Sequence, residues 1–153
     1  MKRELTNQLE NNITRYEEKL LHAVERYAYE KARYDIDYTI AIAITAESLE
    51  LEGFSQTIRM TDAFISLDEN LYGVIFASAN ADLGIKAASN LLHKFEMQFF
   101  ATKIYLGIIS SEDELNVTKM IRKLFVTLNC CLDDGKSNIP VDYGDVSNKR
   151  YAV

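Results

Sequence analysis

At 153 residues the chain has room for one globular domain and an accessory element, since domains commonly run to about 100–150 residues. A hydrophobic content of 48% is enough for a core and 26% charged residues suits a water-facing surface, while a net charge of −6 disfavours gripping nucleic acid through its phosphates. One proline and six glycines leave no room for a Pro/Gly-rich linker, and the polar start MKRELTNQLENN lacks the apolar core of a signal peptide. No run approaches the roughly 18–20 apolar residues of a membrane span, so the expectation is a cytoplasmic protein with no membrane insertion.

Leu5 to Tyr34 holds no Gly or Pro and is rich in Glu, Lys, Arg, Leu and Ala, which predicts one long helix. Ile13, Leu20, Tyr27 and Tyr34 recur every seven residues, with Leu9, Tyr16 and Ala23 in the companion seam. Apolar residues at both positions of a heptad are the pattern of a coiled coil. The expectation is a homodimer joined through Leu9, Ile13, Tyr16, Leu20, Ala23 and Tyr27; packing of the helix on its own domain is the alternative. Residues 1–35 are accordingly assigned to this helix, 36–146 to a globular domain and 147–153 to a tail.

From Thr39 to Ile44, β-branched residues alternate with alanines, which predicts a central strand. Ala46 to Gly53 is a polar connection carrying Glu47, Glu50 and Glu52, most simply a solvated acidic face. Two strands follow, Ala63 to Leu67 and Tyr72 to Phe76, turned at Asp68-Glu69-Asn70 as in a hairpin. Ala81 to Phe95 returns to helical spacing, with Ile85, Ala88, Leu92 and Phe95 on one face. After a strand over Lys103 to Ile109, Ser111-x-x-Glu114 has the form of a capping box. The helix that follows carries Val117, Ile121, Leu124, Leu128 and Leu132, with Gly135 as a left-handed stop. Ile139 to Tyr143 supplies a last strand, and the succession predicts an α+β domain with helices packed on one sheet.

Few residues suggest chemistry by themselves. His22 and His93 lack Cys, His or acidic partners at metal spacing. Cys130 and Cys131 are adjacent on a predicted helix and point in different directions, which resembles neither a disulfide framework nor a metal ligand set, so the expectation is buried, reduced thiols. No P-loop or Gly-x-Ser-x-Gly pattern occurs.

The stretch Ile58 to Leu92, IRMTDAFISLDENLYGVIFASANADLGIKAASNLL, is more specific. It resembles GGDEF (diguanylate cyclase) domains, in which an Arg-x-x-Asp precedes the signature hairpin by five residues and an apolar strand and an alanine-rich helix follow. Arg59 and Asp62 take the Arg-x-x-Asp positions, Asp68-Glu69-Asn70-Leu71-Tyr72 the signature, and Val74-Ile75-Phe76 the strand. Ile104-Tyr105-Leu106-Gly107-Ile108 resembles the family's later Ser-Ile-Gly strand without its serine, and Gly135-Lys136-Ser137-Asn138-Ile139 its Gly-Arg-Asn ending. The likeness runs from about Tyr38 to Val141, and the region between the first strand and Arg59 is too short for the family's usual two helices.

The resemblance implies a nucleotidyl-cyclase-like, ferredoxin-like sheet, and it also implies what is missing. The family's cyclases use metal ions, held by carboxylates at the end of the first strand and in the signature, to join two GTP molecules. Here that strand ends Ile44-Thr45-Ala46, and the signature's acidic pair is Asn70-Leu71. Its glycines, which let a nucleotide approach the backbone, are replaced by Asp68 and Glu69. The expectation is no catalysis, no metal and no cofactor. The Arg-x-x-Asp is the family's inhibitory site for cyclic di-GMP, so Arg59 and Asp62 are the candidate ligand-binding residues, with Lys86 and Lys94 as auxiliary cations. The expected role is a cyclic di-GMP receptor acting on an unknown protein partner, or else a ligand-free scaffold in which Arg59 and Asp62 form a surface ion pair.

Overall fold

The computed structural model describes residues 2–48 and 59–146, so the tail 147–153, Glu50 and Glu52 lie outside the described residues. Helix α1 covers Lys2–Tyr34 and strand β1 Tyr38–Thr45. The hairpin strands are β2, Ala63–Asp68, and β3, Leu71–Ala77. Helix α2 (Ala81–Gln98), strand β4 (Ile104–Ser110), helix α3 (Val117–Asp133) and the short β5 (Pro140–Asp142) complete the order. The sheet runs β2-β3-β1-β4-β5, antiparallel except for the parallel β4–β5 pair.

The alternation in β1 explains the layers. Side chains of a strand point to opposite faces in turn, so Ile40, Ile42 and Ile44 enter one core with α1 and α3. Ala41 and Ala43 enter a second core with Ala88, Leu91, Leu92 and Phe95 of α2. The bulky face meets two helices; the small face admits one helix very closely. At Gly84 of α2, a Cβ would lie only 2.5 Å from both Cγ2 and Oγ1 of Thr39, so the missing side chain sets the distance between α2 and β1.

The apolar stripe of α1 has a different destination from the one its heptads suggest. Leu9, Tyr16 and Leu20 are fully buried and Tyr27 nearly so, all within the chain's own core beside Ile40, Ile42, Leu124 and Leu128. Ile13 and Ala23 pack partly buried against the same cluster. The side chains expected at a dimer seam are therefore occupied intramolecularly, and α1 shares one core with the sheet. Tyr34, the last heptad position, is exposed. The physical reason is that a seven-residue repeat specifies an apolar face on a helix but not the surface that covers it. The helix stops at Asp35, which adopts a positive φ of 55°.

The capping box is also corrected. Helix α3 begins later, at Val117, where the side chain of Asn116 accepts from the Lys119 N–H at 3.0 Å. Ser111 instead ties β4 to β1: its Oγ accepts from the Tyr38 N–H at 3.0 Å and donates to Asp37 at 2.9 Å. Glu114 is held by Lys123 at 2.9 Å. At the other end, Gly135 has φ +65°, with Lys136 N–H bonded to Cys131 O and Gly135 N–H to Leu132 O. This pair of bonds satisfies carbonyls that the helix end would leave open. Cys130 and Cys131 are free and buried, and burial pushes the Cys131 thiol up to about 11. Among the described residues no helix is long and apolar enough to cross a membrane.

Candidate functional site

Arg59 and Asp62 close a turn at the entrance to β2. The Asp62 N–H donates to Arg59 O at 2.9 Å, and the Asp62 carboxylate reaches back to the Arg59 N–H at 3.2 Å. The guanidinium meets the carboxylate side-on, Nε to Oδ2 at 3.1 Å and Nη2 to Oδ1 at 3.0 Å. Both partners also grip the end of β3: the Ala77 N–H donates to Asp62 Oδ1 at 2.9 Å, and Arg59 Nη2 donates to Ala77 O. A hairpin otherwise frays where its ladder ends, and this pair fastens it. The exposure is unequal: the Asp62 side chain is 3% exposed and that of Arg59 56%.

Beside this turn lies a cavity of about 190 Å³, lined by Arg59, Asp62 and Phe76 and by Ala87, Asn90, Leu91 and Lys94 of α2. The fold therefore brings Lys94 to Arg59 and Asp62, whereas the exposed Lys86 is not part of the lining. Asn90 was not anticipated from the sequence. The signal for it was available in the helical spacing of 87, 90, 91 and 94, which gives α2 a second face beside its buried one.

The hairpin tip, at Asp68 and Asn70, is committed to α1. The Tyr16 hydroxyl donates to Asp68 Oδ2 at 2.6 Å, and Arg15 adds an exposed contact at 3.2 Å. Gln8 and Asn70 exchange side-chain amide bonds of 2.7 and 2.9 Å, and Gln8 also donates to the Tyr16 oxygen at 3.0 Å. Asn70 reaches on to β1, donating to Thr45 O at 2.8 Å, while its own carbonyl accepts from the Thr45 N–H at 3.0 Å. The Tyr16 bond is the main cause holding the Asp68 carboxyl below its ordinary range. Burial first, and then the Asp68 bond, push the Tyr16 phenol upward.

Other candidates are ordinary in their surroundings. His22, His93 and Glu47 are exposed. Among the described residues no three His, Cys, Asp or Glu side chains gather where they could hold a metal ion.

A helix-flanked sheet in this order, with a hairpin at its edge, is the GGDEF-type fold. The chain superposes on the GGDEF domain of YfiN (TpbB) from Pseudomonas aeruginosa with a TM-score of 0.66 at 10% identity, covering 80% of this chain and 92% of that one. The GGDEF domain of DgcB from Caulobacter crescentus, in complex with c-di-GMP, gives 0.64 at 9% identity over 80% of this chain and 84% of that one. The active GGEEF domain of a diguanylate cyclase from Vibrio cholerae gives 0.61 at 9% identity, over 76% and 90%. No family model matches the sequence and no curated protein matches it. The likeness is one of fold.

Proposed function

We propose that this is a non-catalytic signalling domain that binds cyclic di-GMP through the Arg59–Asp62 element and passes the bound state to a protein partner. The observation carrying the reading is the meeting of Arg59 with Lys94 and Asn90 around one open cavity. Cations and an amide at such a rim suit the phosphates of an anionic dinucleotide. A relative in fold is known in complex with c-di-GMP, which makes that ligand the first to try.

Loss of cyclase chemistry is supported by what the hairpin tip does instead. Asp68 and Asn70 are spent on Tyr16, Gln8 and Thr45, so the positions that would meet GTP and metal serve to dock α1. Incubation with GTP and Mg²⁺ is expected to yield no cyclic di-GMP; accumulation of product would refute this part.

A scaffold without ligand is the second reading, and the closed Arg59–Asp62 pair favours it, because the same bonds fasten the hairpin whether or not anything binds. Calorimetric titration with cyclic di-GMP, beside an Arg59→Ala variant of verified fold, separates the two. Saturable binding lost in the variant is the expected result. A folded, ligand-free protein that gives no heat would leave the scaffold.

A further inference from the structure

We infer that Asp62 is a positioning residue and not a ligand contact, so that this site takes phosphodiester-bearing dinucleotides without selecting their bases. The inference rests on the receptor reading above and narrows it.

An ionised carboxylate offers about four acceptor positions. Asp62 has four donors already: the Arg59 N–H and Nε on Oδ2, and Arg59 Nη2 and the Ala77 N–H on Oδ1. Its side chain is 3% exposed. The Watson–Crick edge of guanine presents N–H donors and would need those same oxygens. Reaching them means breaking the turn and the last bond of the hairpin, with no compensation for the Ala77 N–H.

Arg59 is left in the opposite condition. Its Nε and Nη2 are occupied by Asp62 and Ala77 O, so the pair holds the guanidinium plane in one orientation. A guanidinium carries five N–H groups, and the two on Nη1, which have no partner among the described residues, remain for a ligand. They suit an anionic oxygen better than a base edge, because a side-on fork for a guanine edge is the edge Asp62 already takes. Lys94 and Asn90 across the cavity add a charge and an amide; an ammonium suits an anionic oxygen, and an amide carries both a donor and an acceptor, so by turning it can meet either purine. Recognition then falls on the phosphodiester, which cyclic di-GMP shares with cyclic di-AMP.

The test is calorimetric titration of the full chain with cyclic di-GMP and cyclic di-AMP at one salt concentration, for the wild type, Arg59→Ala and Asp62→Asn. A carboxylate that read guanine would separate the two ligands by about tenfold to a hundredfold. The expected result is Kd values within about threefold of each other, both lost in Arg59→Ala. Asp62→Asn should weaken both ligands together, by about three- to tenfold, because Arg59 is no longer preorganised. Thermal unfolding of Asp62→Asn supplies the control: a lower Tm with unchanged affinities overturns the positioning role. A strong preference for cyclic di-GMP that disappears in Asp62→Asn overturns the inference and leaves the receptor reading intact. Binding of neither dinucleotide overturns both.

Discussion

Replacing Tyr16 by Phe removes one oxygen and tests whether the hairpin tip secures α1. The hydroxyl donates to Asp68 at 2.6 Å and accepts from Gln8 at 3.0 Å. A hydrogen bond to a charged group contributes about 1.5–3 kcal/mol. The lower part of that range applies, because Asp68 keeps the Glu69 N–H at 2.8 Å and Arg15 at 3.2 Å and is not stranded. The ring itself stays in place, buried and stacked on Phe125 at 6.4 Å. The expected loss is about 1.5–2 kcal/mol, or a fall in Tm of roughly 3–8 °C for a chain of this size. Urea unfolding followed by circular dichroism measures it, and Asp68→Asn with the double variant completes a cycle that isolates the pair. The pH dependence has a definite sign. A carboxyl held down in the folded state adds stability above its unfolded pKa, near 4, and loses it as the pH falls through the lower folded value. Wild type should therefore lose its advantage over Tyr16→Phe on the acid side of about pH 4. A Tyr16→Phe protein within about 0.5 kcal/mol of wild type, or a cycle with no coupling, would refute the latch.

Two more expectations concern the layers. Gly84→Ala should cost about 1–3 kcal/mol by overpacking, since its Cβ would strike Thr39. Thr39→Ala removes two of the three struck atoms, Cγ2 and Oγ1, and leaves the Cβ at 2.7 Å, so the double variant should recover part of the loss that the sum of the single variants predicts; strict additivity in chemical denaturation would contradict that contact. Leu20→Ala should cost about 2–5 kcal/mol, with a Tm that does not vary over a hundredfold range of protein concentration, as for any intramolecular core. A concentration-dependent Tm would show that the stripe of α1 is covered by a second chain.

The proposed receptor and the latch divide the hairpin between them. Its base, at Arg59 and Asp62, borders a cavity; its tip, at Asp68 and Asn70, is tied to α1. A ligand at the base and a disturbance of α1 thus act on opposite ends of β2 and β3, two strands joined by a continuous antiparallel ladder except for the bulge between Ser66 and Asp68. Hydrogen exchange of β2 and β3 amides, with and without ligand, would show whether protection at the base changes at the tip.

Much of the architecture was legible in local sequence. Alternating Ile and Ala in β1 marked a strand covered on both faces, because period two assigns each side chain to a layer. Asp68-Glu69-Asn70 between apolar runs marked the hairpin, and Gly135 marked the end of α3, because a left-handed residue there carries no Cβ penalty. The Arg59–Asp62 spacing, read together with the signature position and the strands that follow, was sufficient to anticipate the GGDEF-type fold. Other features depend on which surfaces meet. The heptads of α1 defined an apolar stripe whose partner is the chain's own sheet and α3, a pairing between segments far apart in sequence. Ser111 and Glu114 matched a helix cap in their spacing, yet Ser111 bonds Asp37 and Tyr38, Glu114 bonds Lys123 and the Asn116 N–H, and the Asn116 side chain caps the helix. The motif singled out Arg59 and Asp62, but only their placement against Ala77 decided that the Asp62 carboxylate is saturated and its side chain buried, while the Arg59 guanidinium stays exposed at the cavity lined with Asn90 and Lys94. Local pattern determines an element and its apolar face; the long-range packing of those faces determines which polar groups remain to do anything else.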